Sequence, residues 1–324
     1  MKLYLVESPR YNPYENLAIE SVLMKNCPED SLIFYVWQNA HTVVIGKHQH
    51  AQSEVHMEKA LDDKVTIARR SSGGGAVYHD LGNLNFTFIA KDPLYSIPKQ
   101  MEMIASALKD LGIPAEVNGR NDIEVNGSKV SGNAFAHQGN THLHHGTLLV
   151  NVDKSALGKY LNVNPKKLKR KNVTSVAARI QNLSEFKALT IEELKHHLFD
   201  TVGHYANTEG VWLDFEAMDK THELSLYENR DFVFGRELKS QLRFEECFDF
   251  GCIRWDFVSE KGIITGSKLY SDALDTLWVE SLEKWVVGIP EQELINHISH
   301  YNDHQPERMR QLVFALTEAV LELS

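Results

Sequence analysis

Residues 69–83 read RRSSGGGAVYHDLGN, and three consecutive glycines between an arginine pair and a Tyr-His-Asp turn constrain this chain more than any other stretch. Backbone free of side chains at Gly73, Gly74 and Gly75 permits positive φ and lets a ligand approach main-chain N–H groups. Arg69 and Arg70 set fixed positive charge beside that opening, which suits a phosphate or a carboxylate. Read alone, three glycines mark a tight turn between strands. The flanks add information: VTIAR before the loop and NFTFI from Asn85 onward alternate as half-buried strands do. A strand–loop–strand arrangement argues against a Walker A loop and a Rossmann turn, since both need a helix straight after the glycines.

The 324 residues suffice for two domains, or one large domain with an appendage. At 43% hydrophobic and 24% charged the composition is that of a globular protein able to bury a core. A net charge of −10 disfavours sequence-independent nucleic-acid binding, although a local basic patch is compatible with it. The N-terminal stretch lacks an apolar signal-like run, and no segment approaches 18 apolar residues, so neither a membrane span nor a membrane partner is expected. The three cysteines, Cys27, Cys247 and Cys252, lack zinc-type spacing and fit a reducing cytoplasm better than a disulfide scaffold. Most of the 16 histidines are expected at the surface.

Periodicity predicts a strand at Lys2–Val6, a helix around Tyr14–Lys25, strands at Ser31–Trp37 and His41–Ile45, and a short helix over 53–61. A helix over 97–111 has Pro98 at its first turn. Short strands follow at Ala115–Gly119, Asp122–Val125, Lys129–Val130 and Thr147–Val150. Beyond Asn151 the pattern turns helical, with a helix at 154–161 and another at Ile191–Tyr205, capped by Thr190 with Glu193 at N3. Asn229–Arg243 is polar and irregular and reads as a linker. A strand meander with glycine turns and a helical tail then make a small module, giving domains at 1–243 and 244–324.

Asn126-Gly127 is a hairpin turn signal. It sets Lys129 at the start of a strand, followed by the small residues Ser131 and Gly132. A lysine so placed can offset negative charge developing on a phosphoryl or acyl oxygen, and taken alone it is also an ordinary solvated lysine. Asp122 reads as a partner for Mg²⁺ or an amine, or as a turn cap. His144 and His145 precede a strand, and a hydrogen-bonding histidine beside a pocket fits better than a metal site, for which no further ligands stand out. Lys166, Lys167, Lys169, Arg170 and Lys171 form a basic run that is either a solvated face or a patch for a phosphate or an acidic partner. Thr174-Ser175 then supply hydroxyls at a helix N-terminus.

In this order and spacing, RRSSGGGAVYHDLGN, GRNDI, KVSGNA, HHGTLL and NVTSVAAR resemble the lipoate–protein ligase A family of the biotin/lipoate ligase superfamily, from about residue 2 to 240. The resemblance implies an α+β fold: a catalytic domain with a mixed or antiparallel sheet of the class II synthetase type, plus a small C-terminal α+β accessory domain. It also implies that lipoate and Mg·ATP react to lipoyl-AMP and pyrophosphate, and that a lysine of a carrier domain then takes the lipoyl group. The carriers implied are E2 subunits of 2-oxoacid dehydrogenases and the glycine cleavage H protein, met by a cytoplasmic monomer. By the same resemblance Arg70, Gly75, Ala76, Val77, Tyr78, Asn83 and Asp122 serve the nucleotide, Asp122 also the Mg²⁺. Lys129 is the catalytic contact to both phosphate and carboxyl. Trp37, Arg70, Ser72, Gly73, Gly74, His79, Lys129 and His145 serve lipoate. Closure over the intermediate by the glycine loop and residues 173–180 is expected.

The chain departs from the family at two places. Ala136 stands where some relatives carry arginine, and Val176-Ala177-Ala178-Arg179 stands where they read VRSR; both bear on substrate detail. The nearest rival is an ATP-independent acyl transferase of the same fold, which needs a cysteine nucleophile in the pocket. None of the three cysteines neighbours the motifs in sequence. A non-catalytic binder would be expected to lose Lys129 or the glycine loop, and a biotin ligase to carry a GRGRxG-type loop.

Overall fold

The computed structural model describes residues 1–119, 121–162, 180–235 and 238–323. The strands are β1 (Lys2–Glu7), β2 (Ser31–Trp37), β3 (Thr42–Ile45), β4 (Thr66–Arg69), β5 (Val77–His79), β6 (Asn83–Lys91) and β7 (Ala115–Asn118). They continue with β8 (Asp122–Val125), β9 (Ser128–Gln138), β10 (Thr141–Leu149), β11 (Gly210–Trp212), β12 (Leu242–Phe248), β13 (Gly251–Glu260) and β14 (Ile263–Ser271). Eight form one mixed sheet in the order β11-β1-β2-β6-β10-β9-β8-β7, in which β1 runs parallel to β2 and β11 and the other pairs are antiparallel. The expected α+β class with a mixed sheet therefore holds.

Both faces of the large sheet are covered, which is why its central strands are apolar or buried throughout. Helices Ile97–Asp110 and Ile191–Ala206 pack on one face over Phe34, Phe86 and Phe88, all 0% exposed. Burying side chains of this size is worth about 1.5–3 kcal/mol each. Helix Pro13–Lys25 packs on the other face with Tyr35 and Trp37. It starts with Pro13 in its first turn and the Asn12 side chain accepting from Tyr14 N–H. The Thr190 capping box forms in both directions, and Asn207 ends that helix with φ of 50°.

A smaller sheet, β4-β3-β5, holds the glycine loop. The loop joins β4 to the short strand β5, and the two flank β3 without pairing to each other. NFTFI therefore lies in β6 of the other sheet, buried on both faces rather than one. The 53–61 stretch divides into helices Ala51–Glu54 and Met57–Asp62. The polar 229–243 stretch contains helix Arg230–Phe234, and β11 and helix Thr221–Tyr227 had no clear sequence signal.

Strands β12–β14 form a third sheet, which packs with helices Thr276–Trp285, Leu294–Ser299 and Pro306–Leu323 around its own core, centred on Trp255, Leu282 and Leu312. Its β12–β13 turn sets Cys247 opposite Cys252, and the two form a disulfide. The expectation of free thiols is thus corrected for this pair. A separation of five residues becomes a bonded pair only once the hairpin register is fixed, and spacing alone does not fix it. Cys27 is a free, buried thiol whose pKa is pushed up by burial. No helix among the described residues is long and apolar enough to cross a membrane.

Candidate active site

A cavity of about 420 Å³ opens between the glycine loop, the β8–β9–β10 edge and the β12–β13 hairpin. Leu17 and Trp37, both buried in the core beneath helix Pro13–Lys25, form its apolar floor. Gly74 to His79, Asn83, Asp122, Lys129 and His145 line its walls, as does Arg70. Ser72 and Gly73 stand behind the wall: Ser72 is fully buried, and Gly73 packs against backbone, where an added Cβ would meet Ala273 O at 2.3 Å. Gly74 adopts φ of +90° and donates its N–H to Ala273 O at 3.3 Å. The glycines thus serve a close approach of two backbones as well as a turn.

Neither arginine of the loop is a free cation. Arg69 is buried and turned away from the cavity, its guanidinium donating to the carbonyls of Gly46, Lys47, Gln49, Phe232 and Val233. Arg70 donates to Ser72 Oγ at 3.0 Å, to Gly73 O at 2.7 Å, to Gly75 O at 2.8 Å and to Val44 O at 3.2 Å. It staples the glycine loop from within. Burial brings each guanidinium down to about 10, opposed at Arg70 by Glu20, so both stay charged at neutral pH.

Lys129 is the accessible cation of this wall. Its ammonium lies 2.7 Å from Asp122 Oδ1, with 24% of its side chain exposed. A shift in the β8–β9 register places Asp122 opposite Gly132 and Lys129 opposite Glu124, so the lysine folds back over Gly132 to reach its partner. The turn that starts this strand is the expected one: Asn126 and Gly127 have φ of 51° and 78°. A Cβ on Gly132 would sit 2.7 Å from Lys129 Nζ and 2.8 Å from Cε. Gly132→Ala is therefore expected to displace the ammonium and slow the step it serves by about tenfold or more, with little change in thermal midpoint. Steady-state rates beside a melting curve check this; an unchanged rate would mean that Lys129 does not need the Gly132 cradle.

The two histidines of HLHHGTLL do different work. His144 is fully buried, hydrogen-bonded to Gln100 and Asn133 and packed on Phe86, Phe88 and Phe135. His145 Nε2 lies 2.7 Å from Ser72 Oγ, and its Nδ1 lies 2.9 Å from Glu20 Oε1. Ser72 Oγ accepts from Arg70 Nε, so one hydroxyl joins the guanidinium to the His145 ring, whose other nitrogen faces Glu20. Glu20 also accepts from Thr87, which in turn accepts from Trp37 Nε1. An unbroken buried chain thus runs Arg70–Ser72–His145–Glu20–Thr87–Trp37. Glu20 was missed in the sequence; its signal was a second polar residue, four after the buried Asn16, within an otherwise apolar helix face.

His79 is also buried rather than surface-exposed. Its Nδ1 lies 3.2 Å from Asn39 Nδ2, its Nε2 is buried without a hydrogen-bond partner among the described residues, and the residue lines the cavity. Burial lowers His79 and His144 to about 3. Both pKa values are depressed below the unfolded value of 6.5, so the unfolded chain binds more protons in acid. The stabilisation is complete above about pH 6.5 and is lost as pH falls toward 3, with a slope of about 1.4 kcal/mol per pH unit for each group. Denaturant midpoints at pH 7, 6 and 5 measure it. His144→Gln should flatten the slope by one proton, and an unaltered slope would sink the assignment.

Among the described residues no three His, Cys, Asp or Glu side chains cluster as a metal site; Asp122, Asp249 and Asp272 are the carboxylates that line the cavity, and Asp122 is the one beside Lys129. That donor set suits a cation shared with a ligand's phosphates, since Mg²⁺ is commonly held by one or two carboxylates plus substrate oxygens. Arg120, the run Lys166, Lys167, Lys169, Arg170 and Lys171, Thr174-Ser175 and Val176-Ala177-Ala178-Arg179 lie outside the described residues. Cys247 and Cys252 do line the cavity, which corrects the expectation that no cysteine neighbours the motifs. Joined as a disulfide, they offer no thiolate for acyl transfer.

An α+β scaffold with a glycine-walled cavity, a deep apolar floor and a lysine at its wall defines a class of enzymes that activate small apolar acids. Residues 12–203 match the family model described as "Lipoyl protein ligase A/B catalytic domain", and the chain belongs to that family. A Psychrobacter cryohalolentis protein described as "Lipoate-protein ligase A" is 37% identical over 303 residues, 89% of this chain and 89% of that protein. The crystal structure of P. falciparum LipL1 in complex with lipoate superposes with a TM-score of 0.85 at 28% identity, covering 98% of this chain and 99% of that one. A bipartite lipoate protein ligase from Thermoplasma acidophilum, described with its E2 lipoyl domain, gives 0.64 at 25% identity, covering 75% of this chain and all of that one.

Proposed function

We propose that this protein is an ATP-dependent lipoate–protein ligase. It joins lipoate to ATP as lipoyl-AMP with release of pyrophosphate, then delivers the lipoyl group to a lysine of a carrier domain. The observation that carries this reading is the Lys129 ammonium, laid over Gly132 beside an apolar floor of Leu17 and Trp37. An acid with a long apolar tail and an anionic head fits that distribution of polarity. The family membership and the names of the relatives support it.

In this reading Lys129 holds the carboxylate against the α-phosphorus and offsets the charge that builds on the phosphoryl oxygens. The loop residues Gly75, Ala76, Val77 and Tyr78 and the Asn83 amide flank the nucleotide. Arg70 at the wall, with Ser72 and Gly73 behind it, keeps Gly74 in its left-handed turn. Trp37, His79 and His145 face the lipoyl tail. Mg²⁺, held by Asp122 and the phosphates, would spread the charge of the triphosphate. Water is kept out by the glycine loop on one side and the β12–β13 hairpin on the other.

Carrier domains of 2-oxoacid dehydrogenase E2 subunits and the glycine cleavage H protein are the proposed acceptors, met by a monomer in the cytoplasm. Residues 1–243 are proposed as the catalytic domain and 244–324 as the accessory domain, supported by the separate core of the latter. The test is pyrophosphate release from Mg·ATP with and without lipoate and an apo carrier domain. Lipoate-dependent release followed by a lipoyl-lysine on the carrier is expected. Acyl transfer from an octanoylated carrier without ATP turnover would overturn the ligase reading.

A further inference from the structure

The Cys247–Cys252 disulfide faces the same cavity as Lys129. Its two cysteines are not equivalent. Cys247 is 7% exposed and Cys252 is half-buried, and both line the cavity. The hairpin is also tied to the glycine loop. Cys252 N–H donates to Asp272 Oδ1 at 2.7 Å and its carbonyl accepts from Ser271 Oγ at 2.9 Å. Ser271 Oγ in turn accepts from Ala273 N–H at 3.0 Å, and Ala273 O accepts from Gly74 N–H. A disulfide is therefore held at a fixed place on the wall of a pocket read here as one for an acid that carries sulfur.

We propose that Cys247–Cys252 is a thiol–disulfide exchange site whose substrate is the dithiol form of the same acid, dihydrolipoate. One thiolate of the dithiol attacks Sγ of Cys252, the more exposed residue of the pair, and Cys247 leaves as the thiolate. The second thiol of the acid, as its thiolate, then attacks the mixed disulfide at the acid's own sulfur, closes the dithiolane ring and releases Cys252. Two electrons and two protons pass from the acid to the protein. The acid ends as lipoate and the protein as a dithiol, so the exchange balances without a further reagent.

A dithiol is favoured over a monothiol for a physical reason. After the first attack, the Cys247 thiolate is held across the hairpin from the mixed disulfide and reverses the step at high effective concentration. A monothiol waits for a second molecule, whereas a dithiol resolves the intermediate within itself.

The proposal rests on the lipoate reading of the cavity, so ligation of lipoate to an apo carrier is measured in parallel. The oxidised full-length protein is incubated without ATP with dihydrolipoate or with 2-mercaptoethanol at equal thiol concentration, then alkylated and mapped by mass spectrometry while dithiolane is quantified. Dihydrolipoate should expose Cys247 and Cys252 together, with one dithiolane formed per chain, at least about tenfold faster than the monothiol. Octanoate added with ATP, filling the cavity, should suppress the exchange. Equal rates for the two reductants, or a rate indifferent to octanoate and ATP, would overturn the proposal. So would dithiolane formation undiminished in Cys247→Ser/Cys252→Ser. Normal lipoate ligation beside any of these failures would leave the ligase reading standing; failed ligation would strike at that reading instead.

Discussion

Lys129→Ala is expected to yield a folded protein whose lipoate-dependent pyrophosphate release is lower by about 10²–10³-fold. The ammonium is positioned by Asp122 at 2.7 Å and by the space above Gly132, and 24% of its side chain remains open to solvent. In the proposed mechanism its removal takes charge from the reacting oxygens, and its partial exposure means that the core is not opened. The thermal midpoint should move little, because a partly exposed ion pair contributes little to stability. Single-turnover formation of the adenylate is the direct measurement. Normal formation in Lys129→Ala would remove this residue from the mechanism.

The other cation of the cavity predicts the opposite pattern. Arg70→Met is expected to cost about 3–5 kcal/mol of stability, because it strands several buried acceptors that the guanidinium now satisfies. Val44 O, Gly73 O, Gly75 O and Ser72 Oγ would all lose a donor. Arg70→Lys keeps the charge but cannot reproduce the fork, and should recover only part of the loss. Denaturant unfolding of the three proteins gives the answer. A wild-type midpoint in Arg70→Met, with only the KM for ATP raised, would show that the guanidinium serves the ligand and not the loop.

The contrast between Lys129 and Arg70 marks what was legible in the sequence. The glycine loop, the Asn126-Gly127 turn and the helix capped by Thr190 are local devices, in which residues a few positions apart decide the backbone. The placing of Lys129 followed from such a turn. What a buried group touches was not legible in the same way. Arg70 reads as a charge beside an opening, yet its partners are carbonyls that the fold brings in. Glu20 meets Thr87 and His145 across sequence separations of 67 and 125 residues. The Cys247–Cys252 pair depended on a hairpin register, and β11 is three residues long and held by pairing with β1. Long-range pairings such as these leave no local pattern to read.

The charged groups of the cavity lie at two depths. Arg70 and Glu20 are both buried and offset each other through Ser72 and His145, out of reach of dissolved ions. Lys129 stands where solvent reaches it. Mobile ions screen exposed charges over about 8–10 Å at ordinary ionic strength and act far less on buried ones. Ionic strength should therefore separate two properties that a single pocket usually ties together: added salt weakens capture of the anionic head at Lys129, while the choice among tails at Trp37 stays the same.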